Sequence, residues 1–246
     1  MIERRQSVFV AAFIAVLLLS TGCGNLPGRP TTASIPIDPD NVTDFSILFS
    51  KNCSGCHGPE GKGGPALSIT DPVYLSIADD TILRKIISNG IAGTSMPAFA
   101  KNAGGMLTEN QVDLLVSGLR EHYAKPDALK GVSVPPYSAT EAGDVSRGGA
   151  VYDFYCASCH GAGGKGGKAS SIVDGSFLAL LTDQELRTLV IVGRPDFGAP
   201  DWRNNVPGRP MTAQEISDVV AWLASQRPGF PGRPYANTAK TAGEAR

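Results

Sequence analysis

Two pentapeptides carry the reactive side chains of this 246-residue chain, Cys53-Ser54-Gly55-Cys56-His57 and, 103 residues later, Cys156-Ala157-Ser158-Cys159-His160. Two thiols three positions apart fall on one turn of helix, and an imidazole follows directly. With that spacing both sulfurs can add as thioethers to the vinyl groups of one porphyrin edge while the histidine reaches the metal, the attachment pattern of c-type haem.

The elements that must hold these groups are duplicated. Cys53 to Pro97 aligns with Cys156 to Pro200 without a gap, pairing Gly58 with Gly161, Gly61-Lys62-Gly63-Gly64 with Gly164-Lys165-Gly166-Gly167, Asp80 with Asp183, Gly90 with Gly193 and Phe99 with Trp202. Residues 42–124 and 144–228 therefore read as a repeat, joined by a Pro- and Gly-containing linker over 125–143. Each repeat predicts three helices around a loop-rich middle. The first carries Phe45, Leu48 and Phe49, answered by Val151 and Tyr152; the middle one Leu83, Ile86 and Ile87, answered by Leu186, Leu189 and Val190. The closing helix opens on Thr108 and Gln111, or Thr212 and Glu215, with apolar residues at helical spacing behind. Trp222 stands where the first repeat has Gly118, which predicts a less aromatic helix contact there. The glycine runs lack the spacing of a phosphate loop and read as tight turns beneath a porphyrin.

Lysine and arginine number 22 and acidic residues 23, for a net charge of −1 without a long basic run. That argues against nucleic acid as a partner. The 29 glycines and 18 prolines imply much loop. Four of five cysteines lie in the pentapeptides and Cys23 has another use, so no disulfide is expected and the porphyrin would be the staple. Arg4 and Arg5 precede twelve apolar residues, Val8 to Leu19, too few to span a bilayer, and residues 1–22 read as a signal peptide. Ser20-Thr21-Gly22-Cys23 resembles a bacterial lipobox, although Ser20 stands where Leu is usual. Lipidated Cys23 would begin a Pro-rich, lipid-anchored tether over 23–41; ordinary signal cleavage or an uncleaved anchor are the alternatives. Residues 229–246 read as a disordered tail.

With these residues in place, each repeat resembles a class I cytochrome c domain, and the pair resembles a two-domain dihaem cytochrome c over nearly all of 42–228. The resemblance implies an all-α fold of two tandem cytochrome c-like domains, each about three helices around a covalently bound haem. It implies two c-type haems, attached through Cys53, Cys56, Cys156 and Cys159, with His57 and His160 as proximal ligands. The distal ligand in that family is a methionine in a Met-Pro segment, and Met96-Pro97 supplies one 39 residues after His57. The same count from His160 reaches Ala199, whose methyl group cannot ligate iron. Met211, twelve residues on, aligns with Leu107 and reads better as a hydrophobic staple before Thr212. The second iron is thus expected to be five-coordinate or weakly ligated. The resemblance further implies that the Pro65 carbonyl orients the proximal imidazole, while Lys168 at the matching place leaves that contact to an ordinary carbonyl or abolishes it. Arg84 and Arg187 would pair with haem propionates unless they are solvated helix faces, Phe99 and Trp202 would cover haem edges, and His122 would be a solvated residue beyond the closing helix.

The function expected is electron carriage rather than enzyme catalysis, outside the cytoplasm, in the periplasm, with membrane anchorage through Cys23. Expected partners are a membrane-bound quinol-oxidising complex and a terminal oxidase or other redox partner, or the chain serves as a haem subunit of one. The alternative is a haem enzyme or a gas- or peroxide-binding protein using the open second iron, which the lack of a spare histidine in the second repeat disfavours. A pair of zinc sites is a third reading, against which the exported thiols and the histidine behind each pair weigh.

Overall fold

The computed structural model describes residues 36–229; the expected signal peptide, Cys23, most of the expected tether and the expected tail from 230 onward lie outside the described residues. Residues up to Asn41 form one unit, of which a 3-10 turn at Pro39–Asn41 is described. Val42 onward forms the second unit, and everything below concerns it. Among the described residues the elements are helices and 3-10 turns without a strand, and no helix is long and apolar enough to cross a membrane.

The first repeat contains α1 (Phe45–Asn52), α2 (Ser54–His57), α3 (Pro72–Ile77), α4 (Asp80–Asn89) and α5 (Glu109–Tyr123). The second contains α6 (Val145–Tyr155), α7 (Ala157–His160), α8 (Gly175–Ala179), α9 (Asp183–Val192) and α10 (Ala213–Ser225). That is five helices per repeat rather than three. α2, α3, α7 and α8 are too short to leave an apolar period in the sequence. Their starts are nonetheless written locally: the Asp71 carboxylate caps α3 with Pro72 in its first turn, and Asp174 caps α8. Capping boxes open α5, α9 and α10 at Thr108/Gln111, Thr182/Glu185 and Thr212/Glu215.

The first and last long helices of each repeat cross, and the crossing swaps its large and small residues. In the second repeat Gly148 on α6 lets α10 approach, and Trp222 stacks on Tyr152 with centroids 4.4 Å apart. In the first repeat Phe45 on α1 fills the space over Gly118 on α5. The aromatic partner is thus supplied by the opposite helix, and the first contact is aromatic after all. His122 lies within the last turn of α5 and stacks on Phe45 at 5.0 Å. A Cβ at Gly148 would stand 2.1 Å from the Asp218 carbonyl oxygen, whereas one at Gly118 would meet the Phe45 ring. Gly148→Ala must move backbone and should cost about 1–3 kcal/mol. Gly118→Ala must turn the Phe45 ring aside but leaves the backbone in place and gains roughly 0.5–1 kcal/mol of helix propensity, so it should cost less. Denaturant unfolding of the holoprotein variants distinguishes the two.

The Asp80/Asp183 match has a structural cause. Arg120 on α5 binds the Asp80 carboxylate and the carbonyls of Leu75 and Ala78. Arg227, beyond α10, binds Asp183 and the carbonyls of Leu178 and Leu181. Three equivalent acceptors are served by arginines from non-equivalent positions.

The linker is tied down rather than loose. Gln214 donates to the Ala142 carbonyl, and the Asp144 N–H donates to Asp218. Asp218 also receives a two-pronged bond from Arg147 at 2.7 and 2.9 Å, which holds its carboxyl near 2, below the usual carboxylate range. Because the folded value is depressed, this stabilisation is complete above the unfolded carboxyl's titration near 4. It should be lost as pH falls from there through about 2. Acid unfolding of Asp218→Asn should show a shallower dependence across that window than wild type.

Candidate functional site

Each Cys-x-x-Cys-His is built the same way. α1 ends at Cys53, whose N–H donates to the Phe49 carbonyl and whose own carbonyl accepts from His57 N–H at 3.0 Å, opening the single turn α2. α6 ends at Cys156, which opens α7 with His160 N–H at 3.0 Å. Cys53, Cys56 and His57 thus occupy one turn, as do Cys156, Cys159 and His160. Behind them the chain doubles back tightly. A Cβ at Gly58 would lie 1.9 Å from the Lys62 carbonyl oxygen, and one at Gly161 would lie 2.1 Å from that of Gly166. The glycine runs follow from this close approach. Ala66 N–H then reaches the Cys56 carbonyl at 3.0 Å, and Ala169 N–H reaches that of Cys159 at 2.9 Å.

The doubled-back loop orients the imidazoles. His57 Nδ1 lies 2.7 Å from the Leu67 carbonyl oxygen, and His160 Nδ1 lies 2.8 Å from that of Ser170. A carbonyl only accepts, so the proton sits on Nδ1 and Nε2 keeps its lone pair for a metal. Burial, with a smaller contribution from the Arg194 cation, holds His57 below its usual pKa against the opposing Leu67 bond. The four thiols are unpaired. Burial, helped by the neighbouring thiol, pushes Cys53 and Cys156 up to about 12. Zinc binding needs thiolate, and burial works against it at Cys53 and Cys156. Among the described residues no three His, Cys, Asp or Glu side chains converge as a metal-binding group. The donor set therefore fits c-type haem.

The opposite loops are matched in backbone and unmatched in side chain. After Gly90 (φ +64°), Ile91 N–H donates to the Met96 carbonyl at 3.0 Å. After Gly193 (φ +70°), Arg194 N–H donates to the Ala199 carbonyl at 2.9 Å. Ala199 holds the place of Met96 without its thioether. Met211 is 3% exposed, its N–H bonded to the Trp202 carbonyl as Leu107 N–H is to that of Phe99. Its sulfur accepts a 3.8 Å contact from Asn205. It occupies the core position of Leu107.

The Pro65 carbonyl does not orient His57; Leu67, two residues on, does, and Pro65 faces Arg194 instead. In the second repeat the contact falls to the ordinary carbonyl of Ser170. Arg84 is taken up by Glu109 and Asp113 on α5 rather than directed at a propionate. Arg187 is 2% exposed and donates to the carbonyls of Pro136 and Tyr137 and to the Ser217 hydroxyl, so it clamps the linker. Trp202 is 1% exposed and belongs to the apolar core, with Arg203 over its ring. Phe99 is half-buried against the core. Leu67 and Ser170 act through backbone oxygens, for which no side-chain signal exists beyond a common ten-residue distance from His.

The family model described as cytochrome c oxidase, cbb3-type, subunit III matches residues 40–117 and again 143–223. The Cbb3-type cytochrome c oxidase subunit CcoP of Azospirillum sp. (strain B510) is 33% identical over 50% of this chain and 40% of its own length. A cytochrome bc1 complex cytochrome c subunit of Mycobacterium bovis is 23% identical over 72% of this chain and 60% of its own. The corresponding subunit of Corynebacterium efficiens is 32% identical over 92% of this chain and 78% of its own. The chain thus spans about half the length of the first two.

Proposed function

Because the chain belongs to the cytochrome c family, with both repeats matching the cbb3-type oxidase subunit III model, we propose that it holds two c-type haems and passes electrons between membrane redox complexes. The observation that carries this reading is the pair of imidazoles, each directly behind two thiols on one turn and each bonded through Nδ1 to a carbonyl at 2.7 or 2.8 Å. When bound, a c-type haem supplies an iron that takes up and gives back one electron. The chain's own part would be to fix it: Cys53, Cys56, Cys156 and Cys159 as thioether anchors, His57 and His160 as ligands through Nε2, and the Met96 thioether as a further ligand in the first repeat. Thioether sulfur favours ferrous iron and gives the first haem the higher potential. Donor and acceptor are a quinol-oxidising complex and a terminal oxidase or other redox partner, with the chain as mobile carrier or fixed subunit. Lipidation at Cys23 would hold it at the outer face of the membrane, in the periplasm. Mass spectrometry should show two haem increments on the chain, and a redox titration should resolve two one-electron transitions. A haem-free chain would remove this reading.

A second reading, a gas- or peroxide-binding haem, is favoured by Ala199. The loop keeps the backbone bond of the Met96 loop but offers a methyl group. Carbon monoxide should then bind one haem of two in the reduced protein. Peroxide turnover at the rate of dedicated peroxidases would move the assignment from carrier to enzyme.

A further inference from the structure

The second repeat reaches behind the first attachment site. Arg194 Nη2 donates to the Gly64 carbonyl at 2.7 Å, and Nη1 lies 3.5 Å from that of Pro65. The same guanidinium is paired with Asp196 at 2.9 and 3.1 Å, and Asp196 accepts from Gly63 N–H at 2.9 Å. The two side chains are 17% and 9% exposed. Gly64 is wedged against α2: a Cβ there would stand 2.2 Å from the Cys56 carbonyl oxygen and 2.7 Å from the His57 carbonyl carbon. One glycine's thickness separates the pair from the backbone that carries His57. Asp196 is held well below the usual carboxylate range, first by Arg194 and then by Gly63 N–H, so its charge is present. The aligned residues of the first repeat are Ile91 and Gly93, which carry no charge. The first haem site alone therefore receives a charge pair through these positions.

We propose that Arg194 and Asp196 are positioning residues that tune the reduction potential of the first haem from the second repeat. This rests on the haem reading above. Reduction adds one electron from the reduced partner to ferric iron, breaks no bond and lowers the iron's charge by one. A cation behind His57 disfavours the oxidised state, and an anion favours it. In the intact pair the two effects largely cancel. An exposed pair would be damped by water and salt, but this one is mostly withdrawn from both, so each half is felt when the other is removed.

Opposite shifts from the two halves are the signature. In redox titrations of the full-length holoprotein, Arg194→Gln leaves the carboxylate alone and should lower one transition. Asp196→Asn leaves the guanidinium alone and should raise the same one. Each should change the reduced-to-oxidised ratio at fixed potential about threefold, which is about 28 mV at 59 mV per tenfold for one electron. Arg194→Lys keeps the charge and should stay close to wild type. The transition that moves should be the one that Met96→Ala also displaces, and the other should stand still. Shifts of the same sign in the Gln and Asn variants, or no shift in either, would overturn the proposal, because a merely loosened loop has no reason to change sign. Should Arg194→Gln fail to fold, Asp196→Asn decides alone: an upward shift supports the proposal, and a downward shift or none ends it. Failure of the underlying reading looks different, since wild type itself would then carry no haem.

Discussion

Ala199→Met should close the second iron. Reduced wild-type protein is expected to bind carbon monoxide at one haem of two, and the variant at neither. The strap after Gly193 already has the backbone bond that places Met96 in the first repeat, Arg194 N–H to Ala199 carbonyl at 2.9 Å against Ile91 N–H to Met96 carbonyl at 3.0 Å. Restoring the thioether asks for no new loop. A soft sulfur ligand would also favour the ferrous state, so the second transition should rise by at least tenfold in its equilibrium, about 59 mV. The converse change, Met96→Ala, should open the first iron to carbon monoxide and lower its transition by a comparable amount. Optical titration with carbon monoxide and a potentiometric titration read both effects. If wild type binds no carbon monoxide, another group already closes the site. Met211 would have to leave the core position it shares with Leu107 to do so, at a cost of about 2–5 kcal/mol in lost packing.

The sequence is most legible where chemistry and local geometry use the same residues. Thiol spacing, the histidine behind it and the glycines that let the loop double back are all side-chain signals, and the capping boxes at Thr108 and Thr212 start their helices as the pattern predicts. Legibility fails where the backbone acts. The acceptors for His57 and His160 are the carbonyls of Leu67 and Ser170, and a proline nearby drew the expectation two residues short. It fails again where one surface chooses among several acceptors. An arginine aligned in both repeats suggested a common haem partner. Yet Arg84 pairs with carboxylates on α5, while Arg187 meets the linker at Pro136 and Tyr137. The Arg194–Asp196 pair was visible only as a difference between the repeats, charged residues against Ile91 and Gly93. Its target, the Gly63-Gly64-Pro65 loop, depends on how one repeat packs on the other.

Arg187→Met should destabilise the protein by about 3 kcal/mol and free the linker, with both redox transitions left in place. The guanidinium is buried and serves three acceptors: the carbonyls of Pro136 and Tyr137 and the Ser217 hydroxyl. Burial already lowers its pKa from the ordinary arginine value, so its charge is held by these oxygens rather than by water. Methionine fills much of the stem's volume and supplies no donor. Each buried acceptor stripped of its partner costs about 1–3 kcal/mol, but Tyr137 keeps a second donor in Gln184 at 2.8 Å and Pro136 is exposed to water, which holds the total in the lower part of the summed range. Denaturant unfolding measures the loss, and limited proteolysis should gain a cut between 125 and 143. A propionate partner would behave in the opposite way: its removal would shift one haem's potential and leave the linker as protected as before. The two readouts separate a structural clamp from a cofactor contact, and the bonds to Pro136 and Tyr137 require the first outcome.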